Sequence, residues 1–183
     1  HFAPNVWPAE PADLKEVWSA YFRAVDTLAR DLMRIFALGL KLDETHFDPT
    51  IDKNISMMRV LRYPAQTSAP LPGQLRAGAH SDYGSMTILR KELGDKSLQV
   101  KNKLGAWVDV PVIPGTFIVN IGDLMQQWTN DTWSSTVHRV VNPAFGSEDN
   151  VDRLSIVFFH QPNYDADVAC LPTCQDAEHP AKY

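Results

Sequence analysis

Between residues 57 and 161 the chain falls into short apolar runs separated by turn residues, and that punctuation constrains the fold more than any other feature. The runs are Met57 to Tyr63, Ser85 to Arg90, Ser97 to Lys101, Trp107 to Val110, Thr116 to Ile121, Ser134 to Val141 and Leu154 to Gln161. Each has the length of a strand, while Pro64 to Gly73, Asn102 to Gly105 and Pro114-Gly115 supply bends between them. Short strands at this spacing predict a sandwich or barrel. A jelly roll fits, because its strands bring distant sequence segments to one mouth.

The segment ahead of the strands has a different period. From Ala12 to about Leu40, the apolar residues Leu14, Val17, Trp18, Phe22, Val25, Leu28, Leu32, Ile35 and Phe36 recur at intervals of three and four. That spacing predicts one long amphipathic helix over 12–40, ended near Gly39, with Trp18, Phe22 and Phe36 in the core. Residues 1–11 carry three prolines and read as an irregular lead-in. Asp43 to Asp48 reads as a short helical turn stopped at Pro49, and Asp123 to Trp128 as another, capped by Asp123.

A chain of 183 residues can bury one sizeable core, so a single domain over 1–183 is expected, with the sheet core spanning 56–165. The net charge of −5 and the lack of a basic stripe argue against a nucleic-acid partner. No apolar run approaches the ~20 residues of a membrane span. Leu32 to Leu42 comes nearest, but Arg34 and Lys41 interrupt it. Cys170 and Cys174 lack the second pair of ligands a structural zinc site would need, and read as two reduced thiols of a cytoplasmic protein. The sequence leaves the oligomeric state open, with a monomer slightly favoured.

Candidate chemistry begins with His80, Asp82 and His138, the pattern His-x-Asp followed after 55 intervening residues by His. Residues at i and i+2 of a strand point to one face, so Gly78-Ala79-His80-Ser81-Asp82 presents an imidazole and a carboxylate together. With a second imidazole from a distant strand they form a two-His, one-carboxylate set with open metal positions opposite, the arrangement of non-haem Fe(II) oxygenases. An isolated His-x-Asp is common in loops, and His138 also reads as an ordinary residue of a half-buried strand. A second constellation adds weight. Arg153 and Ser155 share one face of the run Arg153 to His160, with Leu154, Ile156 and Phe158 on the other. A guanidinium beside a hydroxyl makes a seat for a carboxylate. His46, His160 and His179 offer no better ligand set. By the same alternation His160 belongs to packing or hydrogen bonding.

Taken together with the strings Phe117 to Leu124, Trp128-Thr129-Asn130, Ser135 to Pro143 and Pro162 to Asp165, these motifs resemble the isopenicillin-N-synthase-like branch of the Fe(II)- and 2-oxoglutarate-dependent dioxygenases. The resemblance runs from about Met57 to Tyr164. It implies a mainly β fold, a double-stranded β-helix (distorted jelly roll) with the long N-terminal helix packed against it. It implies Fe(II), 2-oxoglutarate and O2 as cofactor and cosubstrates. His80, Asp82 and His138 then hold the iron, Arg153 and Ser155 hold the distal carboxylate of 2-oxoglutarate, and Tyr63 helps hold the cosubstrate. The implied activity couples decarboxylation of 2-oxoglutarate to oxidation, hydroxylation foremost, of a small organic substrate. In a bacterial relative, residues matching Arg62 and Tyr83 help seat the substrate; both are candidate substrate contacts here, with Phe159, and a surface ion pair is the other reading of Arg62. Two alternatives stand beside this: an iron oxidase of the same fold that needs no 2-oxoglutarate, and a cupin-like binding module without catalysis. Three departures matter. Asp95-Lys96-Ser97 replace a usual Gly-Gly pair, Ala144 to Asp152 form an acidic insertion, and family members are typically longer, which implies an incomplete part of a longer oxygenase.

Overall fold

A computed structural model of the chain describes residues 4–92, 94 and 96–183. Asp95, one of the residues standing in place of the Gly-Gly pair, lies outside the described residues. The long helix forms as its periodicity predicts. Helix α1 spans Leu14–Gly39 and buries Val25, Ala29, Met33 and Ala37, a stripe of every fourth residue. It ends at Gly39 as expected, although the stop itself is formed at Lys41. Lys41 takes the left-handed conformation at φ 60°, the Leu42 N–H donates to Ala37 O, and the Lys41 N–H donates to Leu38 O. That double bond pattern satisfies the last carbonyls of the helix.

The short turn at 43–48 needs correction. Asp43 Oδ1 accepts from the Thr45 N–H at 2.8 Å, closing a tight turn. Helix α2 runs Asp48–Ile51, beginning where it was expected to stop. Pro49 suits a first helical turn, whose N–H groups have no partner inside the helix.

The strands are β1 (Met57–Tyr63), β2 (Ala77–His80), β3 (Met86–Lys91), β4 (Leu98–Lys101), β5 (Trp107–Asp109) and β6 (Ile118–Ile121), then α3 (Asp123–Trp128), β7 (His138–Val140) and β8 (Arg153–His160). They build two four-stranded antiparallel sheets, in the orders β1-β8-β3-β6 and β2-β7-β4-β5. Strand β7 is shorter than the 134–141 run read from sequence. The segment before it directs its hydrogen bonds elsewhere: the Ser135 N–H donates to Gln126 Oε1, and the Thr136 N–H to Ile121 O.

The apolar core lies on the outer side of the first sheet, against α1. Met86, Ile88 and Phe158 meet Val25, Ala29, Met33 and Ala37 there, and Phe22 sits edge-on to Phe158 at 5.2 Å. Phe22 and Phe36 of α1 therefore pack against this core, whereas Trp18 stands half-buried outside it, edge-on to Trp7. The inner side of that sheet instead faces the second sheet across a cavity, with Arg153, Ser155, Val157 and Phe159 of β8 among its lining. Among the described residues no helix is long and apolar enough to cross a membrane.

His160 falls on the helix side, fully buried, with Nδ1 hydrogen-bonded to Ser85 Oγ at 2.6 Å. Burial pushes its pKa from 6.5 down to about 4. The unfolded chain therefore takes up this proton first as pH falls. Stability from neutral His160 is fully present above about pH 6.5 and is lost on the way to about pH 4, amounting to about 3 kcal/mol. Urea unfolding at pH 7 and pH 4.5 should show a steep loss in the natural chain. His160→Gln should remove that share of the slope; an unchanged slope would show that other groups carry it.

Candidate metal centre

The triad is assembled by three separate local structures. His80 ends β2 and His138 opens β7, and the two are register partners in the antiparallel pair. Their rings stand 4.3 Å apart. Asp82 does not continue β2 as its i+2 spacing predicts, because the strand stops at His80 and Ser81 and Asp82 leave the sheet. It reaches the histidines by a loop fastened from below. The Asp123 N–H donates to Asp82 O at 2.8 Å, and the Leu124 N–H donates to Tyr83 O and Gly84 O. The open N–H groups of the first turn of α3 thus hold the loop. This also corrects the expected cap: Gly122 occupies the cap position, no side chain caps α3, and Asp123 Oδ2 instead accepts from Ser81 Oγ at 3.3 Å.

Asp82 Oδ1 lies 3.7 Å from His138 Nε2 and 4.0 Å from His80 Nε2. One ligand atom from each residue falls within 4.8 Å of the other two. Both imidazoles are oriented the same way. His80 Nδ1 is 2.8 Å from Gly78 O, and His138 Nδ1 is 2.9 Å from Thr136 O. A carbonyl only accepts, so each Nδ1 carries the proton and each Nε2 lone pair faces the cluster. Asp82 is oriented too. Its Oδ2 accepts from Thr87 Oγ1 at 2.6 Å and Asn120 Nδ2 at 2.8 Å, which leaves Oδ1 toward the histidines.

Sequence reasoning missed Thr87 and Asn120. The signal was present in the period of β3, where Thr87 and Leu89 alternate with the buried apolar Met86 and Ile88. Outer partners of this kind tune metal affinity by about 10- to 100-fold. Thr87→Val should weaken Fe(II) binding by about tenfold, and Thr87→Val with Asn120→Ala should weaken it further. Metal titration of the purified variants measures both; equal affinities would mean that Asp82 needs no such support.

A cavity of about 220 Å³ opens from the triad and runs between the sheets, lined at its other end by Tyr63, Lys91, Arg153 and Ser155. Arg153 and Ser155 are both buried, and the Arg153 guanidinium stacks on the Tyr63 ring at 4.0 Å. Tyr63, Lys91, Ser97 and Arg153 are each engaged by further protein groups. The three substrate-contact candidates divide. Phe159 lines the cavity. Arg62 does not, because β1 alternates and puts Arg59, Leu61 and Tyr63 inward; Arg62 faces out and pairs with Asp152 of the acidic insertion. Arg59 is the arginine of β1 in the lining, 5.9 Å above the Phe159 ring. Tyr83 is 81% exposed and also absent from the lining. His46 packs against Phe47, and His179 Nε2 is bonded to Asn130 O, so neither joins the cluster.

The 2OG-Fe(II) oxygenase superfamily profile matches residues 54–162, a span holding the triad, both sheets and the arginine–serine pair. The chain belongs to this superfamily. It is 38% identical over 184 residues to the 2-oxoglutarate-Fe(II) type oxidoreductase hxnY of Emericella nidulans, covering 98% of this chain and 51% of that protein. It is 34% identical to a homoarginine-6-hydroxylase of Glycine max, covering 92% of this chain and 51% of that one. In structure it matches a full-length Neurospora crassa protein crystallised in complex with alpha-KG and thymine, with a TM-score of 0.91, 39% identity, and coverage of 98% of this chain and 56% of that one. The chain spans about half the length of the curated relatives it matches.

Proposed function

We propose that this chain carries the catalytic core of an Fe(II)- and 2-oxoglutarate-dependent oxygenase that oxidises a small organic molecule, foremost by hydroxylation. One observation supports this above the rest: two imidazole Nε2 atoms and a carboxylate oxygen converge at one end of a cavity whose other end holds a buried arginine and serine. The donor set fits Fe(II), which favours two histidines and one carboxylate with positions left open. The far end fits a dicarboxylate, since a guanidinium pairs bidentately with a carboxylate. The two sheets are read as the two halves of a double-stranded β-helix, with the site in its mouth. The free thiols Cys170 and Cys174 suit a cytoplasmic setting.

His80, Asp82 and His138 would hold the iron, and Arg153, Ser155 and Tyr63 the cosubstrate. When bound, Fe(II) and 2-oxoglutarate supply the oxidising chemistry, reduction of O2 coupled to loss of CO2 and formation of succinate. The chain's own work is placement. Arg153, steadied by Tyr63, fixes the distal carboxylate so that the 2-oxo acid end reaches the triad in one orientation. The two Nδ1–H bonds keep both Nε2 atoms aimed at the cluster, and Thr87 and Asn120 hold the carboxylate. Leu61, Leu89, Leu98, Val100 and Val157 keep the intervening wall apolar and exclude water from the reacting centre.

Substrate contacts are assigned to Arg59 and Phe159, the cavity-facing pair at the iron end of β1 and β8. Relatives named for homoarginine and, in complex, thymine point to a compact polar substrate. Adding Fe(II) and 2-oxoglutarate without oxygen should give a visible charge-transfer band, and turnover should release one succinate per substrate oxidised. Substrate oxidation without succinate favours the 2-oxoglutarate-independent oxidase. Neither a band nor any turnover favours the binding module.

A further inference from the structure

We infer that Lys91 is a second cation of the carboxylate seat, and that it helps this cavity select 2-oxo acids carrying a distal carboxylate. The inference rests on the oxygenase reading above.

Lys91 is the last residue of β3 and only 7% exposed. Lysines are almost never this buried unless something compensates the charge. The period of the strand turns it inward: Thr87, Leu89 and Lys91 line the cavity, while Met86 and Ile88 enter the core and Arg90 is exposed. Its register partner on β8 is Ser155, with Leu61 of β1 opposite Ser155 on the other side. The rung thus reads Leu61, Ser155, Lys91, and the adjacent rung pairs Tyr63 with Arg153. Two cations, a hydroxyl and a phenol meet at the end of the cavity away from the triad.

Lys91 already has a protein partner, so ligand binding exchanges that contact for a charge-assisted bond to the carboxylate.

The test compares 2-oxoglutarate with 2-oxopentanoate, which has the same five-carbon chain without the distal carboxylate. Both are titrated anaerobically into the Fe(II)-loaded chain by calorimetry. Lys91→Met should bind 2-oxoglutarate about tenfold to a hundredfold more weakly, with Fe(II) and 2-oxopentanoate affinities unchanged. Lys91→Arg, which keeps the charge, should retain most of the 2-oxoglutarate affinity. If Lys91→Met does not fold, Lys91→Gln makes the same comparison. Unchanged 2-oxoglutarate affinity, or equal weakening of both acids, would overturn the inference and leave the oxygenase reading standing. A natural chain that binds neither acid would overturn both.

Discussion

Asp82→Ala is expected to abolish iron binding at the triad and every activity that depends on it. Asp82 contributes the only negative charge among the three ligands, and its two oxygens divide the work. Oδ1 faces both histidines, while Oδ2 takes hydrogen bonds from Thr87 and Asn120. Alanine leaves two imidazoles with ring centroids 4.3 Å apart and no carboxylate to offset the charge of a divalent cation. It also strands the Thr87 hydroxyl and the Asn120 amide. Removing a ligand should cost more than removing an outer partner, so Fe(II) affinity should fall by more than about a hundredfold. Iron content after dialysis and the anaerobic visible band measure this, with circular dichroism to check the fold. Asp82→Asn separates shape from charge, because the amide keeps the outline of the carboxylate. Should either variant retain iron near the natural affinity, the centre proposed here is not the metal site.

Gly122→Ala is expected to cost about 3 kcal/mol or more of stability and to disorder the metal loop with it. A Cβ at Gly122 would stand 2.2 Å from Gly84 O and 3.0 Å from Asp82 O. One at Gly84 would stand 2.1 Å from His160 O. These are backbone atoms, so no rotamer relieves the clash. The stack His160, Gly84, Gly122 brings β8, the Asp82 loop and the start of α3 into direct backbone contact. Gly122 has a φ of −105°, so space rather than conformational freedom demands glycine there. Gly78→Ala is the control, since a Cβ there meets nothing within 4 Å. Urea midpoints should drop sharply for Gly122→Ala and Gly84→Ala and stay put for Gly78→Ala. A tolerated Gly122→Ala would mean that α3 can slide without disturbing Asp82.

The sequence made some of this legible and hid the rest for definite reasons. Helix α1 was plain because one face carries a sustained period, and strand β1 because a short β-prone run stops at the turn residues from Pro64 on. The triad and the arginine–serine pair were legible because their residue types match the chemistry of a facial site. Strands β2 and β7 were misjudged because their neighbours bond to loops and to α3, which no periodicity reveals. Arg62 entered as a substrate contact through resemblance and Arg59 did not enter at all, although counting by twos from Tyr63 turns Arg59 inward. Thr87, Asn120 and Lys91 went unnoticed for a related reason. A polar residue lining a cavity inside a sheet looks, in sequence, like a polar residue facing solvent.

The position of the core on the outer face of the first sheet has a consequence for how such a chain can change over time. Cohesion comes mainly from the seam between α1 and the outer face of β3 and β8, while the space between the sheets is reserved for ligands. Wall residues such as Leu61, Val100 and Phe159 can therefore be exchanged with little penalty to folding, because few of them brace the seam. Such a scaffold can acquire new substrates by drift in its lining while the ironwork at one end and the acid clamp at the other stay put.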